Sequence, residues 1–209
     1  MAADLGAPYS ATPVAYQTPT AWTGFYAGVF AGLGGGDVTW TEPGAPAAAT
    51  TTSRGGLAGV RVGADYQFDK FVVGAVADIA VTNIEGRYEF GGGGVSSKLD
   101  YLGTVRARAG VAATDNVLIY AHGGLAYGRT TPSLIGAGAP TNFVQSANRV
   151  GYTIGAGVEY AVTDKITLQT EYAYTDLGTS NIANMAVAPT ELNETFKFHT
   201  VTAGVNFRF

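Results

Sequence analysis

Cysteine is absent from the 209 residues, which excludes a disulfide framework and any thiolate metal site. Charge is scarce as well. Acidic and basic side chains make up 13% of the chain, about half the usual soluble share, and only four of them are lysine. The net charge is −4 with no basic run, which argues against a nucleic-acid partner held through its phosphates. No stretch approaches the roughly 18 to 20 apolar residues of a membrane-spanning helix. The two histidines, His122 and His199, stand apart, with no His-Glu-x-x-His, zinc spacing or Gly-x-Ser-x-Gly elbow around them. Glycine clusters such as Gly32 to Gly36 do not open a helical pattern, so a dinucleotide loop is excluded. These absences leave no expected cofactor, metal or catalytic centre. Met1 to Leu5 lacks the basic start and apolar core of a cleavable signal, so an exported protein would be represented here by its mature chain.

What is present is alternation. In the last stretch Val201, Ala203, Val205, Phe207 and Phe209 share one parity, and Thr200, Thr202, Gly204, Asn206 and Arg208 share the other. That is the period of a β-strand with one apolar and one polar face. The same pattern recurs from Phe25 to Leu33, Ala58 to Phe68, Val73 to Val81, Tyr101 to Val111, Ile119 to Tyr127, Val150 to Tyr160 and Ile166 to Tyr174. Eight strands of about 12 to 17 residues result, longer than globular strands and long enough to cross a bilayer at a tilt. Their connections alternate between long and short. Asp69-Lys70, Thr114 to Asn116 and Thr163 to Lys165 are tight turns, and the others are Gly-, Ala- and Pro-containing loops. Soluble sandwiches do not require that alternation, whereas outer-membrane barrels carry tight periplasmic turns and long external loops. The expected fold is an all-β, eight-stranded, antiparallel up-and-down transmembrane β-barrel with both termini periplasmic. It occupies residues 22–209. Residues 1–21, with Pro8, Pro13 and Pro19 and no apolar period, read as a flexible periplasmic linker.

Parity alone does not say which face is inside, and a soluble lipocalin-like barrel would invert it. The polar parity argues for the membrane arrangement. It consists of small residues with Arg61, Asp65, Asp78, Arg106, Arg108, Glu159 and Glu171, and almost no lysine, unlike a water-facing surface. In the narrow interior of an eight-stranded barrel these seven side chains are expected to pair as a charge network. Arg61, Asp78, Arg106, Arg108 and Glu171 are expected at one depth, with Asp65 and Glu159 nearer the short turns. The same lining could instead select ions in a narrow pore. Aromatic residues are expected at both interfaces, with Trp22, Phe68, Phe71, Tyr160, Phe207 and Phe209 near the short turns. Tyr88, Phe90, Tyr101, Tyr127, Tyr152, Tyr172 and Tyr174 fall near the long loops. His122 reads as interior filler and His199 as an interfacial residue.

Several stretches together resemble a known group. They are Trp22-Thr-Gly-Phe-Tyr-Ala-Gly28, Ser97 to Gly110, Tyr120 to Gly128, Gly155 to Tyr160 and the ending Val205-Asn-Phe-Arg-Phe209. They resemble the small porin-family outer-membrane β-barrels of alphaproteobacteria, the rhizobial and brucella major surface proteins. Phe30 departs from the pattern, standing where a polar inward residue is expected. The resemblance implies a bacterial outer-membrane location and a non-enzymatic, structural role in the envelope. It implies insertion by the barrel assembly machinery through the terminal aromatic signal, Phe207 and Phe209. It also implies a peptidoglycan tether through the amine of an N-terminal alanine, for which the start Ala2-Ala3-Asp4 is the candidate once Met1 is absent. Outer-membrane lipid and lipopolysaccharide are the expected surroundings, with the protein a monomer or weak oligomer. The alternatives are a narrow diffusion channel and a surface receptor for a ligand such as haem, for which no local motif stands in the chain.

Overall fold

The computed structural model describes residues 22–41, 49–90, 93–135, 147–182 and 192–209; at 40–41, 49, 88–90, 93–95, 132–135, 147, 180–182 and 192–194 it describes the backbone alone. The described chain forms β1 (Gly24–Thr41), β2 (Ala49–Phe68), β3 (Phe71–Thr82), β4 (Glu85–Phe90), β5 (Gly93–Thr114), β6 (Val117–Ile135), β7 (Ala147–Ala161), β8 (Ile166–Ile182) and β9 (Leu192–Arg208). β3 and β4 are two halves of one stave. Both pair with β5, and both pair with β2. Every neighbouring pair is antiparallel, and β1 bonds to both β2 and β9, so the eight staves close. In the closing register Ala27 faces Phe207, Val29 faces Val205 and Leu33 faces Val201. The last amide is also paired, Phe209 N–H donating to the Phe25 carbonyl at 2.9 Å. Closure leaves no unpaired edge along the terminal strand, so an aromatic ending carries no edge-pairing liability.

The third stave breaks at Asn83-Ile84, which the alternation does not foreshadow. Asn83 exchanges hydrogen bonds with Gly56 through its own backbone and its side-chain oxygen, and Ile84 turns fully inside. The strands also run farther toward the long loops than the composition suggests. Gly34 to Gly36 reads as loop but continues β1 as backbone ladder between β2 and β9. A Cβ on Gly36 would strike the backbone of Lys197 and Phe198, so this position must lack a side chain.

The apolar parity faces outward throughout. Phe25, Val81, Leu125, Val150 and Val201 are each more than half exposed, and the remaining apolar-parity valines, leucines and isoleucines follow them. The opposite parity is buried. A barrel with its apolar residues outside and its arginines inside is the reverse of a soluble one, so the outer wall requires a hydrocarbon solvent. Aromatic rings band both ends of that wall. At the short-turn end Phe68 stacks on Phe71 with centroids 5.8 Å apart, and Phe207 meets Phe209 edge-on at 5.2 Å. At the long-loop end Tyr101 meets Tyr127, and Tyr152, Tyr174, His199 and Tyr172 form a chain of ring contacts. The side chains of Tyr88 and Phe90 lie outside the described residues.

Trp22 is a correction. Rather than joining the outer girdle it is fully buried, inside the short-turn mouth. It precedes β1, so strand parity does not bind it. Its backbone N–H donates to Gln67 Oε1 at 2.8 Å, its carbonyl accepts from Arg208, and its ring packs with Val72, Leu118, Tyr120 and Ala161.

Candidate functional site

The site is the lumen. Seven inward charges come from five staves: Arg61 and Asp65 on β2, Asp78 on β3, Arg106 and Arg108 on β5, Glu159 on β7 and Glu171 on β8. An eighth, Arg208 on β9, joins them. These eight form two neutral quartets at different depths; Arg149 on β7 is also buried, nearer the long loops, its Nε donating to Thr130 Oγ1 at 3.0 Å.

The quartet nearer the middle contains Arg61, Arg106, Asp78 and Glu171. Arg106 Nη2 donates to Asp78 Oδ2 and Arg106 Nη1 to Glu171 Oε1, each at 2.5 Å. Arg61 lies 3.1 Å from Asp78 and 3.7 Å from Glu171. The remaining lone pairs find donors: Thr104 Oγ1 to Asp78 at 2.8 Å, and Tyr120 Oη and Gln169 Nε2 to Glu171 at 3.1 and 2.9 Å. His122 is buried against this group, its ring nitrogens 3.1 and 3.2 Å from Arg106 Nη1.

The quartet nearer the short turns contains Arg108, Arg208, Asp65 and Glu159. Arg108 reaches Asp65 through Nε at 2.7 Å and through Nη2, and Glu159 through Nη1 at 2.9 Å. Arg208 reaches the same two carboxylates at 2.7 and 3.3 Å. Thr167 and Asn206 donate to Glu159 Oε1 at 2.5 and 3.2 Å. No ion pair crosses between the quartets among the described residues. Arg108 thus lies one layer deeper than strand counting suggests, because its Nε and Nη2 both turn toward Asp65. Arg208, on the polar parity of the last strand, stands outside the seven charges expected in the network. Its inward parity was the available signal, and the closing register next to Tyr26 makes that signal effective.

Aromatic faces carry the guanidinium groups. Arg61 lies over Phe30 at 4.6 Å, Arg108 over Tyr26 and Tyr120 at 4.7 and 5.0 Å, and Arg208 over Trp22 and Tyr26 at 5.2 Å each. The departure at Phe30 is therefore explained: it supplies a π-face to a buried cation. Neighbouring glycines make the room. A Cβ on Gly63 would strike the Tyr26 ring, and one on Gly74 would strike Asp65.

Apolar layers close the lumen at both ends. Below the lower quartet lies the Trp22, Val72, Leu118 group. Above the upper quartet lie Val38, Ile84, Leu99, Leu102, Leu177, Phe196 and Phe198. Between that cap and the upper quartet is a void of about 30 Å³, room for about one water. Groups of three or more metal-ligating side chains are absent among the described residues. Ala2, Ala3 and Asp4, and the rest of the segment 1–21, lie outside the described residues.

A closed barrel with an apolar wall and an ion-paired interior defines a transmembrane β-barrel. This chain belongs to the outer membrane protein β-barrel domain family, whose pattern it matches over residues 7–209, and it is a protein of the bacterial outer membrane. It is 35% identical to the 31 kDa outer-membrane immunogenic protein of Brucella melitensis, over 100% of this chain and 93% of the relative. It is 34% identical to the 22 kDa outer membrane protein of Rhizobium leguminosarum bv. viciae, over 56% of this chain and 50% of the relative. Among solved structures, the outer membrane protein OprG of Pseudomonas aeruginosa superposes with a TM-score of 0.53 at 13% identity, over 92% of this chain and 99% of that one. The outer membrane protease OmpT of Escherichia coli superposes with a TM-score of 0.52 at 9% identity, over 89% and 97%. Both are likenesses of fold alone.

Proposed function

We propose that this protein is a structural, non-enzymatic element of the envelope, a sealed outer-membrane barrel joined to peptidoglycan through its N-terminal segment. The sealed lumen carries the reading. Two neutral ion quartets sit between apolar layers, with space for about one water. A conducting lumen would need a continuous wet path. Here each charge of the two quartets is held by opposite charges whose separation would be costly. The short turns would face the periplasm, so that Ala2 or Ala3 could reach the wall through the Pro-containing residues 1–21. Mass spectrometry of digested cell wall should find a muropeptide on Ala2 or Ala3, and its absence would remove the tether. Planar-bilayer recording of the pure barrel should show no conductance steps; regular steps would replace this reading with the narrow channel that the polar inward parity otherwise suggests.

The same reading makes Phe207 and Phe209 the assembly signal. Phe209 is 77% exposed on the outer wall, where a partner can reach it. Deleting Phe209 should lower the amount inserted in the outer membrane several-fold while leaving the urea midpoint of refolded barrel nearly unchanged. Equal losses in both would assign Phe209 to stability instead.

A further inference from the structure

The long-loop rim of the outer wall is electrically lopsided. On one side, across β2 to β6, the strands carry Arg54, Arg87, Lys98 and Arg129 against Glu85, Glu89 and Asp100. On the other side, across β8, β9 and β1, Lys197 pairs with Asp176 at 3.4 Å and has Asp37 as its other register neighbour. Arg54, Lys98 and Arg129 are exposed, and none lies within ion-pair distance of a carboxylate among the described residues. Glu85 sits between Arg54 and Lys98 in the register without pairing to either.

The register places these cations above a particular piece of wall. In the outermost row Arg54, Glu85, Lys98 and Thr131 stand side by side. One row nearer the membrane centre are Val81, Tyr101 and Arg129, and below them Ile79, Gly103 and Tyr127. Arg54 and Lys98 are two strand spacings apart, about 10 Å, and Arg129 is a diagonal neighbour of Lys98. The Tyr101 and Tyr127 hydroxyls meet at 3.3 Å, at the level where amphipathic rings settle among headgroups. Gly103 leaves a notch between Ile79 and Tyr127. A Cβ there would meet only the backbone oxygens of Asp78 and Tyr127, at 3.7 and 3.8 Å, so the space is open. Below the notch the wall is Val105 and Leu125, 64% and 66% exposed.

We propose that this face binds one phosphate-bearing anionic lipid, its headgroup held by Arg54, Lys98 and Arg129 and one acyl chain lying in the Gly103 notch. Unpaired cations at the headgroup level draw anionic lipid, whereas the Lys197 side is already neutralised by its own carboxylates. The site rests on the membrane barrel. Only the leaflet that supplies the lipid depends on the orientation proposed above, and the test does not use that orientation.

The barrel, refolded into phosphatidylcholine vesicles containing a minor fraction of phosphatidylglycerol, is extracted in mild detergent and weighed by native mass spectrometry. Wild type should retain phosphatidylglycerol in preference to phosphatidylcholine. The triple variant Arg54→Gln, Lys98→Gln, Arg129→Gln should lose that preference by about tenfold, and Lys197→Gln should keep it. Heat-dependent gel mobility reports whether each variant is folded. Should the triple variant fail to fold, Gly103→Leu provides the second arm: it fills the notch without changing charge and should also lower retention. Equal retention by wild type and the folded variants overturns the site, as does an equal loss in Lys197→Gln. Displacement of the adduct by excess inorganic phosphate would make this a free-anion site and overturn the lipid assignment.

Discussion

Arg106→Ala is expected to destabilise the barrel by about 3 kcal/mol, read as a lower urea midpoint for the barrel in lipid vesicles. The reason is the partner set. Arg106 holds Asp78 and Glu171 at 2.5 Å each, and its Nη1 also faces His122. Truncation removes one positive charge from a neutral quartet. Arg61 alone is left to compensate two carboxylates, from 3.1 and 3.7 Å. Thr104, Tyr120 and Gln169 still donate to them, which keeps the cost from being larger. The same experiment distinguishes a plug from a pore lining. A plug residue costs stability when removed, because an unpaired charge is stranded in a dry interior. A pore-lining residue costs little, because water takes its place, and conductance changes instead. Little loss of stability together with new conductance steps in Arg106→Ala would remove the sealed-barrel reading.

Glu159→Gln should be at least as damaging, at about 3 to 5 kcal/mol. Glu159 is fully buried and is the hub of the lower quartet, contacted by Arg108, Arg208, Thr167 and Asn206. Glutamine keeps the shape and can still accept hydrogen bonds, so the loss isolates charge from packing. Arg108 and Arg208 would then share Asp65. The two-layer arrangement adds a sharper expectation. Arg106→Ala combined with Asp78→Ala should cost about 0.5 to 3 kcal/mol less than the sum of the single effects, since each single change strands the other's partner. Arg106→Ala combined with Glu159→Gln should fall much closer to the sum, because no ion pair joins the quartets. A double-mutant cycle in urea measures both. Strong coupling across the layers would merge them into one network, through Tyr120, whose hydroxyl is on Glu171 and whose ring lies beneath Arg108, and through Gln169, which donates to Glu171 and accepts from the same Asn206 that donates to Glu159.

Much of this was legible in the amino-acid sequence, for definite reasons. A strand has a side-chain period of two, so the outward set from Phe25 to Phe209 can be read by counting. Tight turns at Asp69-Lys70 and Thr114 to Asn116 interrupt that count and fix which ends of the strands meet. The seven inward charges follow from the same parity, since each falls between apolar wall residues. What counting misses are the places where the period slips or does not apply. Trp22 precedes the first strand, so nothing local says that it turns into the mouth rather than out to the girdle. The bulge between Leu99 and Tyr101 and the break at Asn83-Ile84 shift parity, and they bring Leu99 and Ile84 into the upper cap. The grouping of charges into layers depends on strand tilt and on side-chain reach across the lumen, and neither is a property of one strand.

The alternation, the strand count, the turn pattern and the identity of seven of the inward charges were therefore determined by the sequence alone, because they depend only on order along the chain. Three things were decided by the closed structure. The apolar parity faces outward, because the four arginines and four carboxylates can neutralise one another only inside the barrel. Arg208 belongs to the lower quartet, because closure brings β9 beside β1, with β2 and β7 two staves away on either side. The lumen carries an apolar layer at each end, because Trp22 at one end, and Ile84, Leu99, Phe196 and Phe198 at the other, reach their neighbours only once the circle is complete.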